Sequence, residues 1–324
     1  MVARAVSRHL ALFYRDDRDL LDRIVVLLGS RPAVLVCGTG RAAALGDRAL
    51  ALSPRVDIHR RPAAALAVHD RLAARYPDAV VITEPETGSG PADWLRAARH
   101  EAAANLSDTP GDLVCLYRAD APEPLRTAVI ATHPHLVTPD GVAVNPGYTE
   151  PATTLRRLEA ITPVPPPAAA PGLTVADSTR IEDLGPIRRQ VTEHLAEVPT
   201  LVRTDFVAAV NEVLTNAYLH GRPPLRLVLW AGADRIECRI TDHGPGHDDP
   251  TAGYRPYDSA TRTGLGLWLA RQTCDDLDMW HGDGLFTVRL VTTLRIAGDL
   301  RHAGAVARAE IAQARVDLFL RRLP

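Results

Sequence analysis

Lysine is absent: the 37 Lys+Arg positions of the 324-residue chain are all arginine. A Walker A loop needs a lysine on the β/γ-phosphates, a eukaryotic-type kinase needs one on its third strand, and Schiff-base enzymes need a primary amine. None of these chemistries can be built here, so any phosphate must be handled by arginine, backbone N–H groups or a metal ion. Cysteine is scarce as well. Cys37, Cys115, Cys238 and Cys274 are scattered without a C-x-x-C pair, which gives neither a zinc-site spacing nor a disulfide framework, and they read as reduced, mostly buried thiols. Aromatic residues make up 5% and the formal net charge is −2; no arginine cluster alternates with aromatics as on a nucleic-acid platform. No run of about 18 apolar residues occurs, and Arg4, Arg8 and His9 precede any apolar stretch of signal length. These absences lead us to expect a soluble, untargeted, cytoplasmic protein with no direct nucleic-acid or membrane partner.

What is present divides in two. The length is roughly twice the usual single-domain size of about 150 residues, and Ile161 to Pro171, ITPVPPPAAAP, favours polyproline II over helix or central strand. Before it, Leu20–Leu28 and Arg41–Leu52 read as helices, while Ala33–Cys37 and Ala79–Thr83 read as short apolar strands. Leu113–Tyr117 and Leu125–Ala131 continue that alternation, which points to an α/β layer fold with a mostly parallel sheet. After the linker, apolar Val202, Phe206, Ala209, Val210, Val213 and Ala217 recur at helical spacing over Thr200–Leu219. Leu225, Leu227 and Leu229 alternate along one strand and Ile236, Cys238 and Ile240 along the next, with Gly232-Ala-Asp as a hairpin turn between them. A second helix over about Gly264–Asp275 and a last strand through Phe286, Val288 and Leu290 complete an α+β sandwich. The expected domains are 1–160, a linker at 161–172, 173–296, and a C-terminal packing or dimerisation helix at 297–324.

Three pieces of the second domain carry chemistry. Glu212 and Asn216 lie four residues apart on the long helix, with His220 one turn on. Asp242-His-Gly244-Pro-Gly246 places a carboxylate at a strand end ahead of glycines that allow close ligand approach. Thr263-Gly264-Leu265-Gly266 opens a helix whose N-terminal amides make an anion site without lysine. Between the last two lies Asp248–Arg262, a long polar loop of the kind that is usually functional.

In order and spacing, NEVLTNAYLHG (Asn211–Gly221), TDHGPG (Thr241–Gly246) and TGLGL (Thr263–Leu267) resemble the N, G1 and G2 boxes of the GHKL, or Bergerat-fold, ATPases. Within that superfamily the compact domain and short lid most resemble the anti-sigma-factor serine kinases of the RsbW and SpoIIAB type. The resemblance, over roughly Leu173–Leu294, implies that ATP and Mg²⁺ are cofactors and that Asn216 coordinates the Mg²⁺ bridging the phosphates. It further implies that Asp242 accepts from the adenine amino group and that Gly244, Gly246, Gly264 and Gly266 shape the pocket and its lid, with Thr263 and Leu265 beside them. Glu212 matches the family's general base, Arg262 matches an arginine at the γ-phosphate, and Thr287 is expected on the adenine side. The implied activity is a serine/threonine protein kinase acting on a small STAS-type anti-sigma antagonist, with a sigma factor as a second partner and a homodimer as the common assembly. Two alternatives stay open: a non-catalytic ATP-gated adaptor, and a histidine kinase lacking an embedded phosphoacceptor hairpin.

A histidine kinase needs a phosphoacceptor. His100-Glu101 offers a His-Glu pair on a helix but lacks the following proline, and His194, on an expected helix over Glu182–Glu197, is a second surface candidate; both read as ordinary helical histidines. In the first domain, Gly38-Thr-Gly40-Arg-Ala-Ala43 after a strand, with Asp57 further on, matches a dinucleotide fingerprint, but a single match of this kind is weak and a plain strand-turn-helix is the reading preferred. His9-Leu-Ala-Leu-Phe-Tyr14, Trp94, Arg99, Glu101, Cys115-Leu-Tyr117 and His133-Pro134-His135 together resemble the MEDS sensory domain over about Arg8–Ile161, with its first turn shortened to Gly29-Ser-Arg-Pro. His133 and His135 read as turn and strand-edge histidines rather than metal ligands.

Overall fold

The computed structural model describes residues 8–36, 49–51, 61–85, 91–159, 165–255 and 265–294. The chain divides into two compact units, Met1–Leu155 and Arg156–Pro324. Among the described residues no helix is long and apolar enough to cross a membrane.

The first unit is built on a seven-stranded sheet. Its strands are β1 (Arg8–Tyr14), β2 (Ala33–Val36), β3 (Ala49–Ala51), β4 (Val80–Thr83), β5 (Asp112–Arg118), β6 (His135–Thr138) and β7 (Gly141–Val144). They lie in the order β3-β2-β4-β5-β1-β6-β7 and are parallel except for β7 against β6. The central strands are apolar on both faces, as a sheet covered on both sides requires. Leu10, Leu12 and Tyr14 of β1 face one way and pack with Leu20, Ile24 and Leu28 of α1 (Asp17–Leu28). That helix starts where the Asp16 carboxylate accepts from Asp19 N at 2.9 Å, and it stops at Gly29, whose φ is +55°. Ala11, Cys115 and Tyr117 face the other way, against Leu125 and Val129. Among the described residues of this unit the helices beyond α1 are α2 (Pro62–Arg75), α3 (Pro91–Ala104) and α4 (Glu123–Thr132); α5 (Pro151–Glu159) follows at the boundary between the units.

Leu113–Tyr117 and Leu125–Ala131 continue the alternation as β5 and α4. One expectation changes here. The expected helix over Arg41–Leu52 gives way at residues 49–51 to β3, which pairs with β2; residues 37–48 and 52–60, including Cys37, the Gly38–Ala43 fingerprint and Asp57, lie outside the described residues.

The second unit carries a wholly antiparallel sheet in the order β11-β12-β10-β9-β8. Its elements run β8 (Leu173–Ser178), a 3-10 turn at Ile181–Asp183, α6 (Leu184–His194), α7 (Thr200–His220), β9 (Leu225–Ala231), β10 (Arg235–Asp242), α8 (Leu265–Thr273), β11 (Asp276–Gly282) and β12 (Leu285–Thr293). One sheet face buries Leu227, Leu229, Ile236, Cys238, Ile240, Val288 and Leu290 against Phe206, Val210, Val213 and Ala270 of the helices. The other face carries charge. Glu237, 1% exposed, pairs with Arg239 and Arg235 on its own strand and with Arg289 on β12, and Arg289 also binds Asp278 at 2.6 Å. Residues 165–172 form no helix or strand; Trp230 Nε1 donates to Ala169 O at 3.0 Å and Arg239 to Pro165 O at 2.9 Å, so this part of the linker lies along the sheet. The expected helix over Glu182–Glu197 is a 3-10 turn followed by α6, and the C-terminal helix at 297–324 lies outside the described residues.

Candidate functional site

The long helix α7 has its apolar stripe in the core, with Phe206, Ala209, Val210, Val213, Leu214 and Ala217 buried. Helical spacing then puts half-buried Glu212 and Asn216 together on the flank of that stripe. Their neighbour is Gly266 in the first turn of α8. A methyl group on Gly266 would meet Glu212 Oε2 at 2.8 Å and Asn216 Nδ2 at 3.6 Å, so the absence of a side chain lets the two helices approach. The first and third sequence motifs therefore meet in space.

The second motif is stapled to the end of the same helix. Asp242 closes β10 and is 4% exposed; its Oδ1 accepts from Gly244 N at 2.6 Å and from Arg222 N at 3.2 Å, while His243 N donates to Arg222 O at 2.8 Å. Gly221 and Gly244 cross so closely that a Cβ on Gly244 would sit 2.6 Å from the Gly221 Cα. Both hydrogen bonds of the carboxylate end on Oδ1, leaving Oδ2 without a hydrogen bond among the described residues. Glu212, Asn216 and Gly266 thus meet between α7 and α8, while Asp242 and Gly244 pack on Gly221 and Arg222 at the C-terminal end of α7. Residues 178–292 match the histidine kinase-like ATPase domain. The match supports a GHKL-type ATPase domain over that segment, and with it ATP binding. No curated protein matches the chain significantly.

Within this ATPase-like domain the remaining expected residues fare differently. Gly246 has a φ of +71°, and a side chain there would collide with His281 and Phe286, whose rings lie 5.0 Å apart. Strand alternation turns Thr287 to the charged sheet face, where its hydroxyl lies 3.0 Å from that of Thr241, while Phe286 pairs with Asp242 across the ladder. Leu265 lies half-buried at the start of α8, whereas Arg262, Thr263 and Gly264 lie outside the described residues.

One residue escaped the sequence reasoning. Arg271 on α8 is 7% exposed, its guanidinium stacks 4.1 Å over the Tyr254 ring, and it donates to Ala252 O at 2.8 Å and to Leu277 O at 3.2 Å. It thereby fastens the near end of the Asp248–Arg262 loop to the helix that follows. The available signal was position: Arg271 comes four residues after Leu267, on the buried stripe, where an arginine needs partners.

In the first unit, the histidine-kinase candidate His100 is 2% exposed and Glu101 is fully buried, so neither is presented to a partner as a phosphoacceptor pair. His194, by contrast, is exposed. His133 is not a surface turn histidine: it follows α4, is fully buried, and lies beside Glu101, Cys115 and His9. His135 is half-buried on β6, outside that group.

Proposed function

We propose that the second unit binds ATP with Mg²⁺ and transfers a phosphoryl group to a serine or threonine hydroxyl of a small partner protein of the STAS-type anti-sigma antagonist class, under control of a signal received by the MEDS-like first unit. The observation that carries nucleotide binding is Asp242: a buried carboxylate held rigid through Oδ1 by two backbone amides, with Oδ2 left to accept from an exocyclic amino group. The surrounding residues fit the ligand. Gly221, Gly244, Gly246 and Gly266 leave room that a side chain would fill. Asn216 offers a hard amide oxygen of the kind Mg²⁺ accepts alongside phosphate and water oxygens.

When bound, MgATP supplies the phosphoryl group and much of the charge neutralisation. The protein's own contribution is positional. Asn216 would hold the metal-phosphate unit from α7. Glu212, one turn earlier on the same flank, would orient an incoming hydroxyl and accept its proton. Arg262 would supply the cationic clamp that lysine provides elsewhere. The specific partner class, including a sigma factor held in the opposing state, rests on the motif resemblance, which is strongest for the anti-sigma-factor kinases. Incubation with labelled ATP and candidate STAS proteins tests this reading. Acid-stable label on the partner supports the serine/threonine kinase. Acid-labile label on the chain itself would replace it with a histidine kinase, and tight ATP binding without label would replace it with an ATP-gated adaptor.

A further inference from the structure

Beneath α3 and α4, on the face of the parallel sheet formed by its two central strands, four side chains from four separate segments turn inward to one point. They are His9 of β1, Glu101 of α3, Cys115 of β5 and His133 at the end of α4, exposed by 4%, 0%, 0% and 0%. One donor atom from each lies within 4.8 Å of all the others. His9 Nε2 is 3.0 Å from Glu101 Oε2 and 3.3 Å from Cys115 Sγ; Glu101 Oε2 is 3.3 Å from Cys115 Sγ and 3.3 Å from His133 Nε2. Zinc bonds of about 2.0–2.3 Å to nitrogen, oxygen and sulfur in a tetrahedron put the donors about 3.3–3.8 Å apart. The four separations given lie at or just below that spacing, and the other two lie within 4.8 Å.

The hydrogen bonds behind the cluster fix which nitrogens face inward. Asn105 Nδ2 donates to Glu101 O at 2.9 Å and to Thr132 O at 2.7 Å, so its Oδ1 is an acceptor, and His9 Nδ1, 3.1 Å away, must carry a proton. His133 Nδ1 lies 2.8 Å from Val129 O and must carry one too. With Nδ1 so engaged in each ring, both Nε2 atoms point at the same carboxylate oxygen. His133 Nε2 is buried with no hydrogen-bond partner, an arrangement that costs free energy unless a positive centre lies between these atoms. Outward N–H groups held by carbonyls, with both Nε2 atoms turned to one point, are the usual support of histidines that bind metal.

We propose that His9, Glu101, Cys115 and His133 hold one divalent transition-metal ion of the zinc class. Binding converts the Cys115 thiol to a thiolate and releases its proton to solvent, so that thiolate, carboxylate and M²⁺ sum to zero charge in a site excluded from water. With four protein donors and no exposed position the site is closed. It ties β1, α3, β5 and the end of α4 together and does not activate water. Glu101 Oε1 remains engaged by the Tyr117 hydroxyl, which orients the carboxylate.

The test uses the full chain, purified without chelator, equilibrated separately with Zn²⁺ and Co²⁺ and then gel-filtered. About one ion per chain is expected, with a thiolate-to-cobalt charge-transfer band and the intense visible bands of tetrahedral Co²⁺. Cys115→Ser is expected to lose the charge-transfer band and His133→Ala to lose the ion, while Cys274→Ser, in the other unit, retains both. Chelation is expected to lower the melting temperature of the wild type. Because a variant can fail to fold, the wild-type spectrum decides independently: a chain that emerges without a stoichiometric ion or without the thiolate band overturns the proposal, as does an ion that survives in folded Cys115→Ser and His133→Ala.

Discussion

The two units bring polar groups together in opposite ways. In the first, His9, Glu101, Cys115 and His133 come from four distant segments and meet at the centre of a sheet face, sealed from solvent. In the second, the candidate site is made from short contiguous motifs at the edges of elements: a half-buried helix flank, a strand end whose carboxylate is buried, and a half-buried helix start. A group of the first kind needs the whole fold before any pair of its members is adjacent. One of the second kind is half assembled by local geometry, because helical spacing alone aligns Glu212 with Asn216. Rim residues should therefore be separable from stability, and interior charged groups should not.

The largest effect expected of a rim substitution is at Glu212. In Glu212→Gln, nucleotide affinity and melting temperature should stay close to wild type while phosphoryl transfer falls by about 10²–10⁴-fold, the usual contribution of a positioned general base. Steady-state transfer assays beside a binding isotherm measure the two quantities separately. A fall in affinity equal to the fall in rate would mean that Glu212 organises the pocket, and the contrast between rim and interior would weaken.

The opposite outcome is expected at Glu237, an interior charge within the ATPase-like domain. Burial disfavours its carboxylate, but Arg289 and Arg239 more than offset this and hold its pKa below the ordinary 4.5. Glu237→Ala leaves two largely buried arginines short of a partner, and Asp278 compensates only one of them, so a stability loss of about 3 kcal/mol is expected in denaturant titrations. Nucleotide affinity at a temperature where the variant is folded should be unchanged. The pH dependence follows from the direction of the shift. Stability owed to a carboxylate whose folded pKa is depressed is complete above 4.5 and lost as pH falls through the lower folded value, at about 1.4 kcal/mol per unit between the two. Glu237→Gln, with no proton to take up, should show a shallower acid decline than the wild type.

The same contrast explains what was legible beforehand. The α7, β9, β10 and β12 segments stood out because each has one clear hydrophobic period, and the three motifs stood out because their residues are close in sequence. The strand β11 was not among the expected elements: Asp276 and Asp278 make its alternation acidic, but Asp278 is neutralised by Arg289, and Leu277 and Met279 supply the buried side. Ala49–Ala51 was hidden because a three-residue Ala-Leu-Ala strand is too short to carry a period against the helical pattern around it. His133 was read as a turn histidine because nothing local links it to His9, 124 positions earlier in the sequence. Pairing β1 with both β5 and β6 is what creates that neighbourhood.

The smallest of these effects, and the most diagnostic, is expected at Asp242. In Asp242→Asn the amide oxygen can still accept from Gly244 N and Arg222 N, so the staple between β10 and the end of α7 survives and the melting temperature should change little. The other carboxylate oxygen becomes an NH₂ group, which repels an amino donor instead of accepting from it. Loss of one hydrogen bond to a charged group corresponds to about 1.5–3 kcal/mol, or about 10–150-fold in the dissociation constant for ATP. Inosine triphosphate separates this from a general disturbance of the pocket, because its keto oxygen accepts where adenine donates. The wild type should prefer ATP, and Asp242→Asn should lose that preference or reverse it. A variant that binds both nucleotides more weakly in equal proportion would show that Asp242 serves only as the staple, and the carboxylate at the rim would then belong with the interior charges it was set against.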